Sequence, residues 1–194
     1  MIEGYYFGRF QPPLLKHAEI AIDIAQRNKD LQLHVGIADN QISLTRENFL
    51  KGAESEELFV KTLEFLNATY IYTDLVLLPN QPFIESLRSF FKIHSKTTPT
   101  LIFSGSPSTI KTCQELSAEY SLEIITLPDD DQTGPRARHI RQGLTDGNNK
   151  WKSLVAPTVY DYLTQKEIKM RLLNFESGEK RPWAAETKPL LAST

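Results

Sequence analysis

Apolar and polar residues follow two different periods along this chain. The runs Ile2–Phe7 and Leu31–Ile37 are apolar or alternate with a period of two, which is typical of buried and half-buried strands. The stretch Glu54–Leu66 places its apolar residues three and four positions apart, which is typical of an amphipathic helix. By the same criteria, further strands are predicted at Tyr70–Leu78, Thr100–Phe103 and Leu122–Leu127, and further helices from Ala18 to about Asn28 and at Pro82–His94, Ser108–Tyr120, Arg138–Leu144 and Pro157–Leu173.

The predicted strands and helices alternate, which favours a parallel sheet covered by helices on both faces. The fold class expected is therefore α/β, with a Rossmann-like, doubly wound sheet of five parallel strands followed by C-terminal helices. Residues 1–173 form the predicted domain. The pattern stops at Asn174, and residues 174–194, which are rich in Glu, Lys, Pro and Ser, are predicted to be an extended tail. Two interpretations of the tail stay open: it is disordered, or it binds a partner with Trp183 as its anchor.

Composition and net charge limit the classes of protein to which this chain can belong. Forty per cent of the 194 residues are hydrophobic, which is enough for a core, and the net charge of −2 argues against a surface that coats nucleic acid. The single cysteine, Cys113, excludes an internal disulfide and a cysteine-based zinc cluster. The chain shows no leader pattern and no apolar run long enough to cross a bilayer. We therefore expect a soluble cytoplasmic protein without membrane or nucleic-acid partners.

The segment between the first strand and the first helix carries the clearest chemistry. It reads G-R-F-Q-P-P-L-L-K-H from Gly8 to His17. A glycine at the end of a strand allows close approach of a backbone or a ligand, and a helix N-terminus just beyond it suits a phosphate. Arg9 and His17 add a cation and a hydrogen-bonding group. The segment predicts a cradle for nucleotide phosphates at the carboxyl end of the first strand.

This segment resembles the start of the nicotinamide-mononucleotide adenylyltransferases of the nucleotidylyltransferase superfamily, where the pattern is G-R-F-Q-P-F-H-x-G-H. The resemblance covers about residues 2–163 and implies a sheet of the nucleotidylyltransferase type. It also implies that His17 contacts ATP phosphates and that the nucleotide is held by Gly8, Arg9, Phe10 and Gln11.

The same segment departs from the family pattern at its centre. Leu14 stands at the first histidine and Lys16 at the glycine. Losing one donor to a transition state costs roughly a hundredfold to a thousandfold in rate. Lys16 either replaces part of that interaction with its charge or occupies the space of the phosphates, and the sequence leaves both possibilities open.

Two further segments resemble family motifs. The loop from Leu44 to Gly52 is similar to R-N-P-F-T-x-G-E-R, which implies that Arg46 and Phe49 bind the acceptor, although Ala53 and Glu54 replace the closing pair. The segment Ser104-Gly105-Ser106-Pro107 resembles S-G-N-P, which implies that Ser104 and Gly105 approach ATP. A structural turn is the alternative for this second segment.

A basic cluster precedes the last helices. Ile140-Arg141 matches the closing I-R of the family's S-x-T-x-I-R motif, and the cluster also contains Arg136, Arg138 and His139. The resemblance implies that these residues hold ATP phosphates, a role that suits arginine. The alternative is a solvated loop that balances the acidic residues 129–131. We assign no protein metal ligand and expect Mg²⁺ to arrive with ATP.

Three hypotheses of function follow. In the first, the protein transfers AMP from ATP to nicotinamide mononucleotide, giving NAD and pyrophosphate, with His17, Lys16 and Arg141 as catalytic residues. In the second, it is a degenerate member of the family that acts as a nucleotide-binding, regulatory or assembly protein. In the third, AMP goes to a different acceptor. The ligands expected are small nucleotides, and the sequence leaves open a homo-oligomer or a protein partner bound by the tail.

Overall fold

A five-stranded parallel sheet forms the centre of the molecule. The computed structural model describes residues 2–39, 44–46, 49–77, 83–94, 99–127 and 137–176. The strands are β1 (Ile2–Gly8), β2 (Leu31–Asp39), β3 (Tyr72–Leu77), β4 (Thr100–Ser104) and β5 (Leu122–Thr126). They lie in the order β3-β2-β1-β4-β5, and every neighbouring pair is parallel. The predicted α/β fold with a doubly wound sheet is confirmed.

The strand order reverses next to β1. The chain builds outward from β1 through β2 to β3 and then returns to place β4 on the other side of β1, where Tyr6 pairs with Phe103. In open parallel sheets, ligands bind outside the carboxyl ends of the strands at such a switch point. The carboxyl ends of β1 and β4 are therefore where a site is expected.

Helices cover both faces of the sheet. The helices before β5 are α1 (Leu15–Arg27), α2 (Gly52–Phe65), α3 (Phe83–His94) and α4 (Pro107–Tyr120). Alternate residues of a strand point to opposite faces. Thus Tyr6 packs in one core with residues of α1 and α2, whereas Tyr5 and Phe7 pack in another core with residues of α3 and α4.

The C-terminal region corrects one prediction. Residues 157–173 were predicted as one helix, but they form α6 (Pro157–Leu163) and the start of α7 (Lys166–Glu176), which follow α5 (Ala137–Asp146) and a 3₁₀ turn at Lys152–Leu154. The break follows from local hydrogen bonds. The Thr164 hydroxyl donates to the carbonyl of Tyr160 at 3.0 Å, and Gln165 N donates to Tyr162 O at 3.2 Å, which tightens the last turn of α6.

A third hydrophobic core joins these C-terminal helices to the start of the chain. It contains side chains of α5, α6 and α7 together with Leu14, Phe49 and Leu50, which are at most 2 % exposed. Helix α7 extends past the predicted domain end, since Asn174 is buried and Phe175 packs on this core. Residues 177–194, including Trp183, lie outside the described residues, so both interpretations of the tail stay predictions.

Within the described residues, none of the helices combines the length and the apolar character that crossing a bilayer would require. The cytoplasmic location expected from the sequence stays a prediction.

Leu14→His should destabilise the protein, because the side chain lies in the third core with 2 % exposure. Loss of leucine packing and burial of an imidazole without a partner should together lower the free energy of unfolding by about 2–4 kcal/mol. Urea unfolding followed by circular dichroism measures this change. Lys16→His is the matched control, because Lys16 is exposed two residues further along. Equal stability of the two variants would show that Leu14 does not support this core.

Candidate functional site

The turn after β1 is closed by an aromatic ring. Phe10 adopts φ +48°, a left-handed conformation that is uncommon for a bulky residue, and its ring folds back over Gly8. A Cβ at Gly8 would lie 2.5 Å from Phe10 Cζ. The ring is 5 % exposed and packs edge-on against Phe59, with 4.6 Å between the ring centroids. The position therefore requires glycine because Phe10 fills the space that the sequence analysis gave to a ligand.

Gln11 connects this turn to the loop before α2. Its Oε1 accepts a hydrogen bond from Leu50 N at 2.9 Å, and its Nε2 donates to Leu50 O and to Ser55 Oγ, each at 3.0 Å. The side chain is 5 % exposed, and these bonds use its donors and acceptor within the protein. The peptide bond that follows Gln11 is cis. Gln11 therefore fixes the position of the loop relative to the turn after β1.

His17 lies in the first turn of α1, beside Phe10. Its Nδ1 accepts a hydrogen bond from Leu14 N at 3.1 Å, and its ring centroid is 5.1 Å from that of Phe10. This bond fixes the tautomer of the neutral ring, because Nδ1 is the acceptor and Nε2 carries the proton. Burial disfavours the charged form and lowers the pKa of His17 from 6.5 to about 4. At neutral pH His17 is thus an uncharged, oriented hydrogen-bond donor.

Arg141 connects the I-R motif on α5 with the turn after β1. Its guanidinium donates to the carbonyl oxygen of Gln11 at 2.7 Å, across 130 positions of sequence. The next residue on α5, Gln142, accepts a hydrogen bond from the guanidinium of Arg46 at 3.3 Å. The structure therefore brings together the turn after β1, the predicted acceptor loop and the I-R motif.

The other predicted basic residues are exposed, and we refer to them together as the rim. Arg9, Lys16, Arg46, Arg138 and His139 all have exposed side chains. Arg138 and His139 lie in the first turn of α5, where exposed backbone N–H groups add further donors. Arg136 lies outside the described residues, so its assignment to the site stays a prediction.

A cleft opens beside the carboxyl ends of β4 and β5. It has a volume of about 600 Å³ and is lined at its base by Gly105, Thr126 and Leu127 and along α4 by Pro107, Ile110, Lys111 and Gln114. This volume is in the range of small-molecule sites. The cleft follows the carboxyl ends of β4 and β5, and β4 is the neighbour of β1.

The turn at the mouth of this cleft is held by its own side chains. Ser104 is 1 % exposed, and its Oγ accepts a hydrogen bond from Ser106 N at 3.1 Å. Ser106 in turn caps α4 by accepting from Thr109 N at 3.4 Å. The Ser104 hydroxyl thus stabilises a structural turn, which was the alternative to a contact with ATP. Gly105, the next residue, lines the cleft.

Three predicted ligand-contacting side chains are interior. Phe10 and Gln11 are each 5 % exposed, and Phe49 is 0 % exposed within the third core. Large apolar rings and a fully bonded amide gain more from packing behind the turn than from lying in it. These side chains pack behind the turn after β1 and in the third core, and their assignment as ligand contacts stays a prediction.

Sequence reasoning missed an ion pair at the edge of the site. Arg171 on α7 holds both carboxylate oxygens of Glu54, with Nη1–Oε2 at 2.6 Å and Nη2–Oε1 at 3.1 Å, and its Nη1 also donates to Phe49 O at 3.2 Å. Burial raises the pKa of Glu54, but hydrogen bonds from Arg171 and Lys51 N and the charge of Arg171 outweigh this effect and lower it overall. The signal for this ion pair in the sequence was Arg171, a charged residue among the apolar residues of the last predicted helix.

Comparison with known proteins supports the resemblance. No protein-family model matches the chain. A nicotinamide-nucleotide adenylyltransferase from Thermococcus kodakarensis is 26% identical over 181 residues, which cover 91% of this chain and 92% of the relative. The chain is therefore similar over most of its length to a protein named nicotinamide-nucleotide adenylyltransferase. A relative of the same name from Halobacterium salinarum is 27% identical over 168 residues, which cover 85% of this chain and 87% of that protein.

A solved adenylyltransferase shares the fold of this chain. The nicotinic acid mononucleotide adenylyltransferase of Plasmodium falciparum, solved as a complex with NaAD, superposes with a TM-score of 0.58 at 17% identity and covers 88% of this chain and 98% of its own. At this identity the similarity establishes the fold and leaves the roles of individual residues to the geometry described above.

The uncharged state of His17 can be tested by titration. The folded state should hold a pKa of about 4 against 6.5 for an exposed imidazole, so the unfolded chain binds more protons between these values. Stability that depends on His17 should then be complete above pH 6.5 and decline as the pH falls towards 4.

NMR titration of the four histidines, with His17→Gln to assign the resonance, measures the pKa directly. Glutamine at this position can still accept the hydrogen bond of Leu14 N. Thermal unfolding of the same variant should lose less stability on acidification than the natural protein. A pKa of His17 at or above the ordinary value would contradict the buried, neutral assignment.

Proposed function

We propose that the protein transfers the AMP moiety of ATP to nicotinamide mononucleotide, giving NAD and pyrophosphate. The observation that carries this proposal is the contact of Arg141 with Gln11 O at 2.7 Å, which places the I-R motif against the turn after β1 at the switch point of the sheet. Homology to adenylyltransferases over most of the chain supports the same reaction.

The reaction requires positioning more than a protein nucleophile. An oxygen of the acceptor phosphate attacks the α-phosphorus of ATP, a new P–O bond forms, and the bond to the β-phosphate oxygen breaks so that pyrophosphate leaves. His17 Nε2 donates a hydrogen bond to a phosphate oxygen. Arg141 supplies fixed positive charge, while Arg9, Lys16 and Arg138 attract the triphosphate from the rim. Mg²⁺ arrives on the triphosphate and neutralises part of its charge.

The two substrates take opposite sides of this centre. We assign the adenosine of ATP to the cleft between the β4–α4 turn and the end of β5, because its volume of about 600 Å³ accommodates a nucleoside and Ile110 and Leu127 offer an apolar surface. The acceptor lies on the side of Arg46, whose loop is tied to the turn after β1 by Gln11 and to α5 by Gln142.

One observation favours the alternative of a degenerate, nucleotide-binding member of the family. Leu14 stands where the family has a histidine, and its side chain is 2 % exposed inside the third core. This residue cannot donate to a phosphate. Binding of ATP without turnover would identify this alternative, and turnover with a different mononucleotide would identify a different acceptor.

The direct test is a pair of measurements on the natural protein. Isothermal titration with Mg²⁺–ATP reports binding, and an alcohol dehydrogenase-coupled assay reports NAD formed from nicotinamide mononucleotide. The proposal expects both binding and turnover. Absence of both would overturn it.

His17→Ala should weaken ATP binding by roughly tenfold to a hundredfold, because hydrogen bonds to charged groups contribute about 1.5–3 kcal/mol. It should also lower stability by about 1 kcal/mol, since the bond from Leu14 N is lost at the start of α1. His17→Gln can keep that backbone bond, so it should recover the stability, and the different position of its amide N–H tests whether ATP binding depends on the imidazole donor. Arg27→Ala is the surface control on the same helix, because its ion pair with Asp23 is exposed. Unchanged ATP affinity in His17→Ala would remove His17 from the site.

A further inference from the structure

The C-terminal helix α7 reaches the acceptor side of the site through one side chain. Arg171 has only 11% of its side chain exposed, although α7 lies more than 100 positions of sequence after the loop that it contacts. Its guanidinium binds the Glu54 carboxylate with two parallel bonds and the Phe49 carbonyl with a third. Bidentate pairs of this type fix orientation as well as distance.

The contacts of Arg171 continue to the centre of the site. Phe49 is followed by Leu50, whose N–H and carbonyl are both bonded by Gln11. Gln11 O is in turn the acceptor for Arg141. Glu54 also accepts from Lys51 N at 2.7 Å, which fixes the first turn of α2. The backbone from Phe49 to Glu54 is therefore held from two sides, by Arg171 on one and by Gln11 on the other.

The pair is built as a positioning device rather than as a surface ion pair. Glu54 has 19% of its side chain exposed, and a half-buried pair keeps its geometry where an exposed one does not. Burial raises the pKa of Tyr162 on α6 beyond the usual range of tyrosine, and the neighbouring charge of Glu54 raises it further. The Glu54 carboxylate is thus held by the Lys51 backbone at the start of α2 and by Arg171 on α7.

We infer that Arg171 is a positioning residue for acceptor binding, which it achieves by fixing the loop from Phe49 to Glu54. This inference rests on the proposed function and adds to it that α7 is part of the acceptor side of the site. Arg171 contacts neither substrate. Its effect is exerted on the backbone from Phe49 to Glu54 on the proposed acceptor side, while the adenosine cleft is lined by residues of α4 and by residues at the ends of β4 and β5.

Arg171→Gln should raise the KM for nicotinamide mononucleotide roughly tenfold, because a small displacement of a positioning loop is costly. The KM for ATP should change less than about twofold. Initial rates of NAD formation, with each substrate varied at saturation of the other, separate the two constants. Arg171→Lys should recover part of the acceptor affinity, because an ammonium retains the charge but cannot make the bidentate contact.

The matched control is Arg88→Gln, which removes the same functional group from an exposed network with Glu85 and Glu119 on the opposite face of the sheet. It should leave both KM values unchanged. Equal rises of the two KM values in Arg171→Gln, or none, would overturn the inference while leaving the proposed function intact, since the natural protein would still turn over.

Two further measurements keep the test decisive. If Arg171→Gln does not fold, as judged by circular dichroism, Arg171→Lys and Glu54→Gln carry the comparison, and both must raise the KM of the acceptor selectively. If the natural protein binds nicotinamide mononucleotide without turnover, isothermal titration of the same variants with that nucleotide replaces the KM values. If it binds neither substrate, the proposed function and this inference fail together.

Discussion

The buried amide of Gln11 is the interaction on which the geometry of the site depends. Its side chain makes three hydrogen bonds. Two go to the backbone N–H and carbonyl of Leu50 in the loop before α2, and one goes to the Ser55 hydroxyl near the start of α2. A satisfied amide contributes modestly to stability, but removing one partner would leave a buried polar group unpaired, which costs more. Because the carbonyl of the same residue accepts from Arg141, one side chain and its backbone determine how the turn after β1, the start of α2 and α5 lie together.

The three hydrophobic cores lie in different parts of the fold. Two of them lie between the sheet and its covering helices and place the carboxyl ends of β1 and β4 side by side. The third excludes the sheet, and it packs Leu14 and Phe49 against α5, α6 and α7. The proposed site is thus supported by this third core, so the C-terminal helices would belong to it as much as the strands do. A change in their packing would move Arg141 and Arg171 together, since both side chains project from them onto the loop and turn.

Periodicity predicted the sheet well, because the side of a strand or an amphipathic helix that is buried can be recognised from the spacing of its apolar residues. It failed where the deciding contact is distant or specific. The single helix predicted over 157–173 ends at Leu163 and a new helix begins at Lys166, with Gln165 N bonded three residues back to Tyr162 O, and an apolar pattern does not reveal this turn. Gly8 was interpreted as space for a ligand, whereas the neighbouring Phe10 fills that space through a backbone conformation that no propensity favours. Glu54 and Arg171 are separated by 117 positions, so no local pattern could pair them.

The electrostatics of the site follow from which cations are buried. Exposed charges are screened by water and salt, so in the proposed reaction Arg9, Lys16 and Arg138 would assist the approach of a triphosphate more than they would stabilise developing charge. His17 contributes an oriented donor without charge, because burial lowers its pKa to about 4. Arg141 is half-buried and already held by Gln11 O, so its charge requires little reorganisation when the substrates bind. In the proposed reaction, the stabilisation that a histidine at position 14 would supply would therefore fall mainly to Arg141, and Lys16, exposed to solvent, would replace little of it.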